Sequence, residues 1–300
     1  MSTAAATKPV AVPRPSASLV VLNPRNEILF VQRNPEARSF GGVHVFPGGN
    51  FDKAHDDSLA DTAIRETFEE AGLLFASRSG SAAAFPDNAT LDEARKAIHA
   101  NQTPWKEFLG KYQLKADTAA LLPFTQWITP KFATRRFQTQ FFITFLDPSA
   151  DFSSGHKEER LPTPDGGLEV LSARFLHPDD ALSMFAAREI TLMPPQFYII
   201  RTLADVIASG RPLRDQVERL ARGAFGKQVI NPARFVPPEG LEKGVTVLTY
   251  EGDETRGGPK GRLHRAVVKM DKAGVTTELR LLRNFDIFTD LDAPSTSSKL

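Results

Sequence analysis

Apolar residues in this chain fall into short runs whose period changes several times along its length. Residues 18–22 and 28–32 are compact apolar runs joined by Asn23-Pro24-Arg25-Asn26-Glu27, a turn-rich link that predicts a pair of strands. Residues 43–46 predict a short strand leading into Pro47-Gly48-Gly49, where two glycines predict a tight turn that brings backbone close to a ligand. The period then becomes helical. Ile64, Phe68 and Leu73 form its packing face, with Ser58 as N-cap and Gly72 as the residue after the last turn. Residues 91–100 and 105–112 predict two short helices punctuated by Pro86 and Pro104. Strand character returns at 121–128, and within 138–146 the residues Thr139, Phe141, Ile143 and Phe145 alternate as in a half-buried strand. A polar loop over 148–167 precedes a strand at 168–176, a helix from Pro178 to about Arg188 and another over 196–208. Beyond Gly210 the chain becomes richer in Arg and Gly, and 245–250, 265–270 and 277–282 predict three strands. Strands and helices mix without steady alternation, which predicts an α+β fold with a layered mixed sheet.

These runs divide the chain into a disordered tail (1–17), a main domain (18–209) with a helical insertion at about 77–118, a C-terminal β-rich extension (210–291) and a flexible tail (292–300). Three hundred residues, 41% of them hydrophobic, suffice for one large domain or two small ones. A formal charge of +1 gives no bulk attraction to nucleic acid, so anion binding has to come from local Arg or Lys. Cysteine is absent, which excludes disulfides, thiolate metal sites and a cysteine nucleophile. No apolar run reaches the roughly 18 residues of a membrane span. The first residues lack the apolar core of a secretory signal; Lys8 and Arg14 without acids fit a transit peptide less well than a disordered tail. The final Ser298-Lys299-Leu300, behind a Pro- and Ser-rich linker, is the tripeptide read by the peroxisomal import receptor, so the expected location is the peroxisome.

The strongest chemical signal lies on the helix before Gly72. Glu66, Glu69 and Glu70 stand at i, i+3 and i+4, so three carboxylates share one face. Such neighbours repel by a few tenths of a kcal/mol per pair on an exposed helix unless something positive sits among them. Hard divalent cations take one or two carboxylates plus substrate phosphates. The bland alternative is a solvated acidic face; the glycines, Arg65 and Gly72 around the cluster favour the metal.

The run Arg65-Glu66-Thr67-Phe68-Glu69-Glu70-Ala71-Gly72-Leu73 resembles the second half of the Nudix hydrolase signature, with Thr67 at an apolar position. Seven residues before Arg65 stands Asp57 rather than Glu, and seven residues rather than five separate it from Gly49, so this loop carries a two-residue insertion. Leu29-Phe30-Val31-Gln32-Arg33, Arg38, Gly42 and Phe46-Pro47-Gly48-Gly49 resemble the element before the signature in coenzyme A diphosphatases of that superfamily, with Val31 and Asn34 as departures. Pro123-Phe124-Thr125-Gln126-Trp127-Ile128-Thr129-Pro130, Arg135-Arg136-Phe137 and Pro194-Pro195-Gln196-Phe197-Tyr198 resemble its peroxisomal acyl-coenzyme A branch, which also carries a helical insertion after the signature.

The resemblance implies a Nudix-type α/β/α sandwich that hydrolyses a nucleoside-linked diphosphate with Mg²⁺ or Mn²⁺. It implies that Glu66, Glu69, Glu70 and the Gly48 carbonyl hold metal, one glutamate serving as base, with the assignment among them open. Arg65 orients a carboxylate, and Asp57 pins the loop to the helix N-terminus. Arg33, Arg38, Gly48, Gly49, Arg135 and Arg136 are the candidates for contacting the substrate, since Arg meets phosphate oxygens bidentately. Glu169 is either a further carboxylate or an exposed edge residue. Trp127 either stacks on adenine or belongs to the core, and His44 is structural. The expected activity is cleavage of coenzyme A or acyl-coenzyme A to 3′,5′-ADP and a 4′-phosphopantetheine species. The alternatives are an NADH or nucleotide-sugar diphosphatase, or a non-catalytic nucleotide-binding domain. Expected partners are the small-molecule substrate and the import receptor, with no nucleic acid.

Overall fold

A computed structural model describes residues 10–36, 41–79, 85–146, 162–167, 169–271 and 275–291. The chain runs β1 (Arg14–Leu22), β2 (Ile28–Arg33), β3 (His44–Val45) and β4 (Gly48–Asn50) into helix α1 (Leu59–Ala71). An insertion follows, made of β5 (Ala76–Arg78), α2 (Asn88–His99), α3 (Trp105–Lys111) and β6 (Leu114–Ala116). Next come β7 (Leu122–Ile128), β8 (Phe137–Phe145), β9 (Val170–Leu176), α4 (Pro178–Ala186), α5 (Pro194–Ala208), α6 (Leu213–Arg222), α7 (Ala224–Lys227) and β10 (Val229–Ile230). The chain closes with β11 (Ala233–Phe235), β12 (Val245–Thr249), β13 (His264–Met270) and β14 (Thr276–Arg283).

The central mixed sheet runs β10-β7-β8-β1-β2-β3, with β4 paired to β1 and β9 to β2. Strand β1 pairs along its whole length with β8, in parallel. Its other edge is divided: Ser16–Ser18 face β4, while Leu22 alone meets β2 at Ile28. The sheet therefore splits beside Gly48 and Gly49. Strand β1 is buried from Ser16 to Leu22 because both of its faces are covered, which explains an unbroken apolar run. Val20 and Leu22 enter a core with α4, α5 and α6; Leu19 and Val21 enter a second with α1 and the insertion. This is the expected α+β sandwich.

Strand β1 starts inside the segment expected to be a disordered tail, because Arg14, Pro15 and Ser16 pair with Phe137, Gln138 and Thr139. Residues 1–9 lie outside the described residues. The boundary near 210 separates no cores either. Strand β10 joins β7 in the main sheet, and Leu248, Ala266 and Val268 of the four-stranded C-terminal sheet belong to the same core as α5. His264 knits the two parts together. It is fully buried, its Nε2 lies 2.9 Å from the Tyr198 hydroxyl on α5, and its Nδ1 lies 2.7 Å from the Glu251 carbonyl. Burial depresses its pKa to about 4, so the ring is neutral, donating to Glu251 and accepting from Tyr198. Trp127 packs on Tyr198 and Tyr250 and donates to the Thr125 hydroxyl at 3.1 Å, which makes it core.

Candidate active site

Helix α1 forms because both ends are fixed locally. The Ser58 hydroxyl accepts from the Asp61 N–H, and Gly72, at φ +74°, returns its N–H to the Phe68 carbonyl. Ala63, Ile64, Phe68 and Ala71 face the sheet and the insertion, where the Phe68 ring lies 5.6 Å from Phe108 and 5.8 Å from Trp105. That packing turns Glu66 and Glu70 toward β4 and β2, while Glu69 lies between Arg65 and His99 of α2.

Gly48 and Gly49 form a strand, not the expected turn, and neither has positive φ. Their need for glycine is steric. A Cβ on Gly48 would lie 2.3 Å from the Ala17 carbonyl oxygen, and one on Gly49 would lie 2.4 Å from the Glu66 carboxylate. The Gly48 N–H donates to Glu70 Oε2 at 2.9 Å. Glu70 is almost wholly buried; its Oε1 has no hydrogen-bond partner and lies 3.8 Å from Arg33 Nη1. Arg33 Nε is buried without a hydrogen-bond partner.

Arg65 is the hub. Its Nε and Nη2 grip the two oxygens of Asp56 at 2.7 and 2.9 Å, and Nη2 also reaches the Asn50 carbonyl at 3.2 Å. Its Nη1 bridges Glu66 Oε1 and Glu69 Oε1, each at 2.9 Å. The loop anchor is therefore Asp56, not Asp57. Asp57 is 78% exposed and pairs with Lys106 of α3. Asp56 also accepts from the Thr62 hydroxyl and the Asp52 N–H, while the Asp52 carbonyl accepts from His55 and Asp56. The two extra residues of this loop are thus absorbed in a closed turn that presents Asp56 to Arg65. Counting back from Arg65 selected the wrong member of an Asp-Asp pair.

Burial raises the Glu70 pKa well above the carboxylate range and the Glu66 charge adds to this, opposed by Arg33 and the Gly48 N–H. Glu66 is raised in the same way: burial leads, Arg65 opposes it, and Glu69 and Glu169 contribute repulsion. Glu69 differs. Burial would raise it too, but the nearby His99 and Arg65 prevail and hold it below its usual value. Glu169, exposed just before β9, is near enough for its charge to act on Glu66, Glu70 and His99. His99 was not singled out by sequence; its Nδ1 lies 3.6 Å from Glu69 Oε2.

The remaining candidates separate. Arg136 is buried and donates to the carbonyls of Thr129 and Ala11 at 2.9 and 2.8 Å, so its guanidinium clasps backbone and does not face the substrate. Arg135 is exposed on the same connection. Arg38 lies outside the described residues. His44 is buried with its pKa lowered by burial to about 4, in keeping with a structural role. A groove of about 680 Å³ on the outer face of the C-terminal sheet contains none of these residues.

Among the described residues, no three acidic or imidazole side chains converge on a ready-made cation position, because Arg65 occupies the space between Glu66 and Glu69. The donor set nonetheless fits a hard divalent ion. Glu70 Oε1 is an orphaned buried oxygen, and the charge of Glu66 raises the pKa of Glu70 further.

The family described as the NUDT19 Nudix domain matches residues 56–203. The acyl-coenzyme A diphosphatase NUDT19 of Homo sapiens is 26% identical over 286 residues, covering 76% of this chain and 71% of that protein. The protein of the same name in Gallus gallus is 30% identical over 153 residues, 45% of this chain and 38% of its own length. A solved Nudix hydrolase from Alicyclobacillus acidocaldarius is 25% identical, with a TM-score of 0.48 over 64% of this chain and 91% of that one. The chain belongs to the Nudix hydrolase superfamily and is an enzyme of that class.

Asp56 and Asp57 make a direct test of the hub. Asp56→Ala removes the bidentate partner of the buried Arg65 Nε and Nη2, leaving Glu66 and Glu69 on Nη1, and is expected to cost about 3 kcal/mol in urea denaturation. Asp57→Ala removes one exposed partner and is expected to leave the midpoint unchanged.

Proposed function

We propose that this enzyme hydrolyses the diphosphate of coenzyme A or an acyl-coenzyme A to 3′,5′-ADP and a 4′-phosphopantetheine species. The observation that carries the reading is the Glu70–Arg33 pair. A buried carboxylate with a free oxygen stands beside a guanidinium whose Nε is also free, which provides for a cation and a phosphate side by side. The relatives named for acyl-coenzyme A diphosphatase activity support the substrate class. In this reading Glu66, Glu69, Glu70 and the Gly48 carbonyl would hold Mg²⁺ or Mn²⁺. The ion would supply charge neutralisation and a more acidic water.

The chain's own residues supply the rest. Arg33 meets the phosphate oxygens as the water oxygen bonds to phosphorus and the bridging oxygen leaves with the other phosphate. A carboxylate of the cluster takes the proton of the attacking water. Arg65 holds Glu66 and Glu69 in place, and the Gly48 N–H orients Glu70. Glu169 adds a further negative charge to the rim.

Purified protein incubated with Mg²⁺ and coenzyme A, an acyl-coenzyme A, NADH or ADP-ribose is expected to cleave the coenzyme A species fastest. Glu70→Gln is expected to lower kcat by more than about 100-fold, since even outer partners of a metal site cost 10- to 100-fold. Faster cleavage of NADH would replace this reading with that of an NADH diphosphatase. Binding of the substrates without turnover would make the protein a nucleotide-binding module.

We also infer a peroxisomal location from Ser298-Lys299-Leu300, which lie outside the described residues. With a fluorescent tag at the N-terminus, the full chain should be imported and a chain lacking residues 298–300 should remain cytosolic. Import of the truncated chain would refute the inference.

A further inference from the structure

The last turn of α1, which carries Glu69 and Glu70, contains no basic residue of its own. A helix C-terminus leaves its final carbonyls without partners and favours a cation nearby. Here both needs are met from outside. Arg95 of α2 is buried, and its Nε donates to the Glu69 carbonyl at 2.8 Å. Its Nη1 and Nη2 donate to the hydroxyl and carbonyl of Thr163 at 3.0 and 2.9 Å. The Thr163 N–H in turn satisfies the Ala71 carbonyl at 3.0 Å.

One turn beyond Arg95 on the same helix, His99 stands between two carboxylates, with Nδ1 3.6 Å from Glu69 Oε2 and Nε2 4.0 Å from Asp165 Oδ2. Asp165 is the organiser of its loop. Its oxygens accept from the N–H groups of Gly167, Glu169 and Val170 at 3.0, 2.8 and 3.2 Å. One helix of the insertion thus grips the catalytic helix by backbone and by side chain, and fastens the loop that carries Glu169 to the same point.

We propose that Arg95 and His99 are positioning residues that set the Glu69 carboxylate in its metal-ready orientation. The proposal rests on the reading of Glu69 as part of the metal-holding set. Arg95 fixes the height and rotation of the last turn. His99 fixes which way the carboxylate points, opposite the side taken by Arg65. A misplacement of about 1 Å at such a site costs on the order of 100-fold in rate, and outer partners of metal ligands typically contribute 10- to 100-fold in affinity or activity.

The test uses the full chain and Mn²⁺ alone, titrated calorimetrically into wild type, His99→Ala, Arg95→Ala and Arg95→Lys, with kcat and KM for coenzyme A measured in parallel. Both alanine variants are expected to bind Mn²⁺ about 10-fold more weakly. Their kcat should fall by about 10- to 100-fold while KM stays within about twofold. Arg95→Lys should recover part of the loss, since an ammonium can still meet the Glu69 carbonyl. If Arg95→Ala does not fold, His99→Ala, at a partly exposed position, decides the matter. Mn²⁺ affinity and kcat within about twofold of wild type in His99→Ala would overturn the proposal, as would a lowered melting temperature with unchanged Mn²⁺ affinity. If coenzyme A is not cleaved by wild type, the Mn²⁺ titration still tests the positioning role separately from the substrate.

Discussion

The grip of Arg65 on Asp56 is the interaction on which the site depends. Both side chains are buried, two hydrogen bonds join them, and the guanidinium still has Nη1 left for Glu66 and Glu69. Taking such a pair from water is expensive and the pair itself yields little net stability, but losing one member strands a buried charge. That asymmetry makes the pair a device for placement. With Asp56 holding Arg65 to the loop, Arg65 can hold two carboxylates of the helix at one distance from the glycine strand. The glycines then allow the closeness that this arrangement imposes, because any side chain at Gly49 would meet the Glu66 carboxylate.

The rest of the fold serves that placement from two sides. On one face of the central sheet, Phe68 of α1 stacks on Phe108 and packs at a tilt against Trp105, so the insertion clamps the catalytic helix from outside. The extended loop is part of the clamp, since His55 Nδ1 accepts from the Trp105 N–H at 3.3 Å and Asp57 pairs with Lys106. On the other face, α5 and the C-terminal sheet share one core with β1 and β8, tied by the buried His264–Tyr198 contact. A sheet covered on both faces is rigid, and its split beside β4 is where backbone donors become available to carboxylates.

Much of this was legible in the sequence, for physical reasons. The helix showed itself through Ser58, Gly72 and three glutamates at helical spacing, because caps and periodicity are local. Strands β1, β2, β7, β8 and β9 of the central sheet showed themselves as apolar runs for the same reason, whereas β4 looked like a turn and the two-residue β10 gave no pattern. What escaped depends on contacts distant in sequence. Asp56 and Asp57 are neighbours with the same chemistry, and only the closed turn around Asp52 decides which one meets Arg65. Arg95 and His99 sit on an ordinary amphipathic helix, and nothing local marks them as facing Glu69. Arg136 looked like a phosphate ligand because its type fits, whereas its burial commits it to backbone carbonyls. Helix α6 could have been read, since Leu213, Val217 and Leu220 lie on one buried face, but its arginines masked the period.

The central claim is that the carboxylates gathered by Arg65 form a place for divalent cations. Glu70 keeps a buried oxygen without a partner, and its pKa is raised by burial and by Glu66, so the cluster is an electrostatic arrangement that a cation would complete. The most direct measurement is anomalous diffraction from a crystal soaked in Mn²⁺. The account requires an anomalous peak within about 2.5 Å of carboxylate oxygens of Glu70 and at least one of Glu66 and Glu69. A Mn²⁺-loaded crystal with no peak there, and with Arg65 still bridging Glu66 and Glu69, would contradict it.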